Sequence, residues 1–420
     1  MSLKPLLSLC LASLTLSLAH AEERDLHAAA VIQTYSEIAH ATYADSLVAA
    51  NILSDRINTL IETPSEETLA AARQAWIRAR VPYQQSEALR FGNPIVDQLD
   101  MKLNAWPVDE SFIDYVNMGT QFGAPAPINL ISNPQFQYNG VSIDAREITP
   151  TLLSESLHEL GGNEAFVATG FHAIEFLLWG QDLNVSPKSA GQRPASDFSL
   201  DTCTHGACER RIAFLRAVTD QLLIDLNTAR DTWAVEGAAR QSLAADMHTQ
   251  ALARMLNGLG SLAYGELAGE RMKLGLLLQD QEEEHDCFSD NTHNSHYYNL
   301  IGIQNLYFGR YTKTEGKLVS GPSLYALVKQ NDPELAKQAK LEFEKAHAAL
   351  LALKQHAETV EPYDQMISHA SAEGVATVEH GIESLIRVAK IIERSSDALN
   401  LTQVSFEGSD SLDRPSRITE

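Results

Sequence analysis

The sequence predicts an all-α protein in two parts, and three observations carry that expectation. Residues 26–61 run without proline or glycine, with Ala30, Ile32, Tyr35, Ile38, Ala39 and Tyr43 at helical spacing. Helix start signals precede the later apolar tracts. A polar stretch punctuated by Pro and Gly, residues 181–206, interrupts the helical period and marks the best boundary. The 44% hydrophobic composition suffices for real cores, and roughly 400 mature residues fit two domains.

The elements follow in order. "MSLKPLLSLCLASLTLSLAHAEERD" reads as a secretory signal, residues 1–21, cut after Ala21. Leu9 before the early Cys10 argues against a lipid anchor, and no later stretch is long and apolar enough to span a bilayer. The product is expected to be soluble, exported and not an integral membrane protein. A first domain is assigned to residues 22–195. After its first helix, "TPSEETL" offers Thr63 as cap, Pro64 in the first turn and Glu66 to complete a capping box. The helix that follows carries "AWIRARVPYQQSEALRF", which Pro82 should kink. Residues 92–148 are rich in Gly, Pro, Asn and Asp, too long for a plain connection, and read as functional loops or an insertion. Thr149 and Pro150 restart helix, Gly161 and Gly162 break it, and another helix is expected from near Glu164.

A second helical domain is assigned to residues 200–398, with helices near 207–236, 238–282, 332–359 and 372–398 and a frayed tail at 399–420. Asp332 caps the third of these, with Pro333 in the first position. "HAIEFLLWG" (172–180) aligns without gaps on "IGIQNLYFG" (301–309), which raises a degenerate duplication in which Gln304 replaces Glu175 and Ile301 replaces His172.

Charge and cysteines narrow the chemistry. With 32 Lys and Arg against 55 Asp and Glu, nucleic acid and anionic membrane are disfavoured as partners. Cys203 and Cys208 in "CTHGAC" suit a disulfide in an oxidising compartment, a metal-binding pair being the alternative, and Cys287 is left over. The chain has no C-x-x-C-H, phosphate loop, dinucleotide fingerprint or G-x-S-x-G elbow.

The candidate ligands begin with His172 and Glu175 in "TGFHAIEFLLWG". Three residues apart on a helix, they share a face in an otherwise apolar segment. A carboxylate there costs several kcal/mol, on the order given for buried charge, unless it is paired or metal-bound. A buried His–Glu hydrogen bond that only fixes packing remains open. Gly170 allows a chain or ligand to approach closely. Trp76, Arg80, Tyr83, Glu87 and Arg90 recur at helical spacing, which makes Glu87 a candidate third ligand with Arg80 or Arg90 as charge partner. "EEEHDCFSDNTHNSHYYN" (282–299) gathers Glu282, Glu283, Glu284, His285, Asp286, Asp290, His293 and His296, either a polar loop or a cation site, with His285 the chosen ligand. H-E-x-x-H is absent, since "HELGG" (158–162) lacks a second histidine, and Phe176 spoils the inverted form H-x-x-E-H.

Gly170, His172 and Glu175 reproduce the G-x-H-x-x-E motif, and in this the chain resembles the imelysin family. "CTHGACERR" and "EEEHDCFSDNTHNSHYYN" are similar to its iron-regulated protein A branch. The resemblance implies two helical-bundle domains with the site at their interface, and a periplasmic or envelope role in iron acquisition. It carries Gly170, His172 and Glu175 over as site residues. Together the two readings predict an exported protein that binds iron, with zinc as the alternative metal, through His172, Glu175, Glu87 and His285. Arg80, Tyr83 and Gly170 line that site. An envelope iron transporter or receptor is the expected partner. The competing expectation is a zinc metallopeptidase.

Overall fold

A computed structural model describes residues 4–117, 125–183, 190–402 and 404–418, with side chains from His27 onward. The predicted leader, residues 1–21 with Cys10, lies outside the residues described with side chains. The architecture is all-α and multi-helical, decorated by two small antiparallel hairpins. These pair β1 (Gln135–Tyr138) with β2 (Val141–Asp144) and β3 (Arg310–Thr312) with β4 (Leu318–Ser320).

The first helix, α1 (Lys4–Glu62), packs against α2 (Glu66–Gln84) and α5 (Cys208–Thr232). Its buried face includes Ser36, Thr42 and Ser46, whose hydroxyls donate to carbonyls one turn back at 2.9–3.0 Å, so the polar groups are satisfied. The capping box of α2 is Ser65 with Thr68, two residues later than the expected Thr63 with Glu66. Pro82 falls in the last turn of α2, so it ends the helix at Gln84 where a kink was expected. Helix α3 (Pro94–Leu103) and the β1–β2 hairpin stand in the stretch read as loops.

The helix expected from near Glu164 begins only at Gly170, as α4 (Gly170–Trp179), which packs on α2, α3 and α5. The longest of the remaining helices among the described residues are α6 (His248–Ser261), α7 (Thr292–Phe308), α8 (Pro333–Thr359) and α9 (Ala372–Ala398). Helix α6 continues into a wide, π-type winding over Leu262–Lys273 against which α9 lies. Asp332 caps α8 as expected, accepting from the Leu335 amide at 2.9 Å. Helix α7 bridges the chain by packing on both α2 and α8. Buried apolar side chains from Ala28 to Leu401 form one continuous core. Gly180 and Gly309, paired in the internal alignment, both have positive φ and close α4 and α7 respectively.

Residues 404–418, within the stretch read as a frayed tail, dock over the π-type winding. The Glu407 amide donates to Ser261 Oγ at 3.0 Å and Ser411 Oγ to the Gly269 carbonyl at 3.0 Å. A Cβ at Gly265 would lie 2.4 Å from the Glu407 carbonyl oxygen, so only glycine admits this close approach.

Cys203 and Cys208 form a disulfide just before and at the start of α5, and Cys287 is a buried free thiol. Alkylation of denatured, unreduced protein from the envelope fraction is therefore expected to add one label, and three after reduction. Three labels before reduction would show the bridge to be absent.

Candidate metal centre

Helix α4 is buried along its whole length, and its start explains why the motif opens with glycine. Gly170 has φ +81°, and a Cβ there would sit 2.6 Å from the carbonyl oxygens of both Lys102 and Leu103. Only glycine lets the helix begin against the end of α3. Thr169 Oγ1 donates to the Lys102 carbonyl at 3.0 Å, and Trp76 Nε1 from α2 donates to the Phe171 carbonyl at 2.9 Å. The first turn of α4 is thus held from two sides before any ligand is considered.

That turn places His172 Nδ1 2.8 Å from Glu175 Oε2, with both residues 0% exposed. The second Glu175 oxygen accepts the Ser289 amide at 3.0 Å and the Ser289 hydroxyl at 2.7 Å. Ser289 belongs to the turn Cys287–Ser289, and the same loop brings in Asp286. His172, Glu175 and Asp286 each offer a ligand atom, all within 4.8 Å of one another, the one such trio among the described residues.

Asp286 is itself held firmly. Arg80 Nη2 donates to Oδ1 at 2.6 Å, while Asn291 Nδ2 and Ser295 Oγ donate to Oδ2 at 2.8 and 2.5 Å. Burial alone would raise its carboxyl, but the Arg80 guanidinium, helped by the Ser295 hydroxyl, outweighs burial and holds it well below the usual carboxylate range. Glu175 goes the other way: burial first, then the charge of Asp286, push it up. Burial and the Arg80 charge bring His172 down to about 3, so the imidazole is neutral. When Glu175 is ionised, its bond to Nδ1 fixes the tautomer and leaves a lone pair on Nε2. His172 Nε2 is buried and has no hydrogen-bond partner. A neutral imidazole nitrogen without a partner, beside two carboxylates, fits a metal ion.

The remaining sequence candidates are placed as follows. Arg80 is the charge partner of Asp286. Because α2 stops at Gln84, Glu87 leaves the helical row and stands on the short turn Glu87–Leu89. Its oxygens are taken by Arg271 Nη2 at 2.6 Å and Asn104 Nδ2 at 3.3 Å, so it lies outside the trio. Arg90 pairs with Glu266 at 2.9 Å. The Tyr83 hydroxyl donates to Asp100, and its ring lies 4.9 Å from that of Phe171. His285 is stacked on Trp106 at 4.4 Å, and its Nδ1 is buried without a partner. It lines a cleft of about 260 Å³ together with Asn104, Glu266 and Arg271. Sequence reasoning did not single out Asp286, Ser289 or Arg271. Asp286 stood among many acidic neighbours at no recognised spacing, and Arg271 gained its position from π-type winding that no periodicity announces.

Comparison with known proteins agrees with this architecture. The chain is 23% identical over 318 residues to iron-regulated protein A of Synechococcus elongatus, covering 76% of this chain and 73% of that protein. A crystal structure assigned to an iron-regulated protein A precursor of Parabacteroides distasonis superposes with a TM-score of 0.65 at 20% identity, over 90% of this chain and 96% of the other. An imelysin-like protein from Psychrobacter arcticum gives 0.56 at 15% identity, over 90% and 98%. Both likenesses speak for the fold. The sequence pattern of the imelysin family (peptidase family M75) matches residues 39–392, which include α4 and the loop carrying Asp286. The chain belongs to the imelysin family.

Proposed function

We propose that the chain is an exported, non-catalytic metal-binding protein of envelope iron homeostasis, carrying iron as cargo on His172, Glu175 and Asp286. The observation that supports this most is the buried Nε2 of His172, a nitrogen ligand without a partner in a trio otherwise made of carboxylates. A mixed N/O set of this kind suits iron. The relative named iron-regulated protein A and the structure described as a precursor support the iron-linked, extracytoplasmic setting. Among the described residues no helix is long and apolar enough to cross a membrane. In this reading, the site lies between two helical halves. His172 and Glu175 come from α4, packed in the first half, and Asp286 comes from the loop leading into α7. His285, on the cleft, and Glu87, held by Arg271, are assigned to the approach and the frame. An envelope transporter or receptor receives the ion.

The family's name keeps a peptidase reading in view. A zinc peptidase uses three fixed ligands plus a bound water that a general base activates. Here the third group is a carboxylate already bonded to a guanidinium. Metal analysis of protein isolated from the envelope fraction of iron-replete cells tests the proposal. About one equivalent of iron per chain is expected, together with impaired growth of a deletion strain when iron is scarce. Zinc in its place, with insulin-chain cleavage lost on chelation and on Glu175→Gln, would overturn it.

A further inference from the structure

The π-type winding Leu262–Lys273 is where Arg271 stands, and the C-terminal segment 404–418 is seated on it. Gly260, Gly265 and Gly269 all meet that segment. A Cβ at Gly260 would run into the Phe406 ring, one at Gly265 into the Glu407 carbonyl, and one at Gly269 into the Ser409 side chain. The segment is fastened as well as fitted. Ser411, 1% exposed, donates through Oγ to the Gly269 carbonyl at 3.0 Å, and the Tyr264 hydroxyl donates to Asp413 Oδ1 at 2.6 Å. Val404, Phe406 and Leu412 pack on the apolar core.

Winding of this kind is rare and mostly confined to a single turn, so twelve residues of it call for support from outside the helix. Helix α9 and the segment 404–418 both lie against it. From Arg271 an unbroken run of hydrogen bonds reaches the trio. Arg271 Nη2 donates to Glu87 Oε2 at 2.6 Å, and Asn104 Nδ2 donates to Glu87 Oε1 at 3.3 Å. Arg80 Nη1 then donates to Asn104 Oδ1 at 2.5 Å, and Arg80 Nη2 to Asp286 Oδ1 at 2.6 Å. Arg271, Glu87, Arg80 and Asp286 are each at most 3% exposed, so each charge depends on its neighbour in place of water.

We propose that the segment 404–418 is a positioning element of the metal site, holding Arg271 in register so that Glu87, Asn104 and Arg80 fix Asp286 beside His172 and Glu175. Without the segment the winding relaxes toward ordinary α-helix, which has fewer residues per turn, and each later residue is turned further about the axis. That movement carries Arg271 off Glu87. Glu87 is then a buried carboxylate without its cation, and the next cation along the run is Arg80, on which Asp286 depends. The trio loses its alignment although none of its ligands has been touched.

The inference rests on the trio being a metal site, so its test includes a readout that needs no metal. In the full mature chain, Phe406→Ala loosens the segment from its own side and Gly265→Ala pushes it off from the side of the winding. Either variant suffices if the other folds poorly. Ferrous-iron affinity in titration calorimetry is expected to fall about three- to tenfold, within the span of coupling through a packed network. Hydrogen exchange on the metal-free protein is the second readout. Amides of 84–90 and 286–291 are expected to exchange at least about threefold faster than in the wild type. If the wild type binds no iron, the metal reading falls while the exchange pattern still decides the role of the segment. Faster exchange confined to 262–273 and 404–418, with affinity unchanged, would overturn the inference. Asn104→Ala breaks the run between Glu87 and Arg80, and in that background Phe406→Ala is expected to lower affinity less than about twofold. An undiminished loss there would overturn the route through Asn104.

Discussion

Replacing His172 with alanine is expected to lower the affinity for ferrous iron at least about tenfold, ~1.4 kcal/mol on the binding scale. The reason lies in the partner count around the trio. Arg80 already neutralises much of Asp286, and Glu175 shares one oxygen with Ser289. Among the donor atoms these three residues carry, His172 Nε2 is buried with no hydrogen-bond partner, so the His172→Ala change removes a nitrogen donor that nothing else engages. Glu175→Gln keeps the acceptor for Ser289 while deleting the charge, and a loss of similar size is expected. Titration calorimetry measures both, with urea unfolding alongside. If the pair only fixes packing, affinity stays unchanged while stability falls by about 1–3 kcal/mol for the unsatisfied buried group. That pattern would remove these residues from the ligand set.

The helices were legible where local signals dominate. The tract 26–61 and the Asp332–Pro333 start of α8 both depend on residues close in sequence. The pairing of His172 with Glu175 was legible for the same reason, because one helical turn brings them together. What failed to show was anything set by long-range packing. The start of α4 is dictated by carbonyls of Lys102 and Leu103, so the run from Glu164 gave no local hint that residues 164–169 stay non-helical. Glu87 looked like a ligand on an unbroken helix. Once α2 ended at Gln84, it turned toward Arg271, a residue 184 positions away. Asp286 reads in sequence as one acid in a crowd. Only the fold shows that Arg80 holds it beside α4, whereas among the described residues no cation pairs with Glu284 or Asp290.

The end of α4 rests on a charge network, and Asp114→Ala is expected to destabilise the protein by about 3–5 kcal/mol, the range for breaking a buried ion pair on one side. Asp114 accepts from Arg193 Nη1 at 2.6 Å and from Arg211 Nε and Nη2 at 2.6 and 3.0 Å. Arg193 and Arg211 are 3% and 1% exposed, so alanine would strand two guanidiniums with too few acceptors. Asp197 compensates only in part, its carboxylate meeting Arg193 at 3.2 Å and its backbone carbonyl accepting from Arg211 Nη1 at 3.1 Å. The Arg193 guanidinium lies over the Phe176 ring at 5.4 Å, and its amide donates to the Trp179 carbonyl at 2.7 Å. Loosening it therefore frees the last turn of the helix that carries His172 and Glu175. The effect is pH-dependent, with a definite sign. Burial would raise the Asp114 carboxyl, but Arg193 and Arg211 outweigh it and hold the group below its ordinary value. A depressed carboxylate gives its full stabilisation above the unfolded value, about pH 4, and loses it as the pH falls through the lower folded value. Urea unfolding of wild type and Asp114→Ala should thus differ most near pH 7 and draw together as the pH falls through the lowered folded value. A gap under about 1 kcal/mol at pH 7, the worth of an exposed pair, would show that the network carries no weight in the fold.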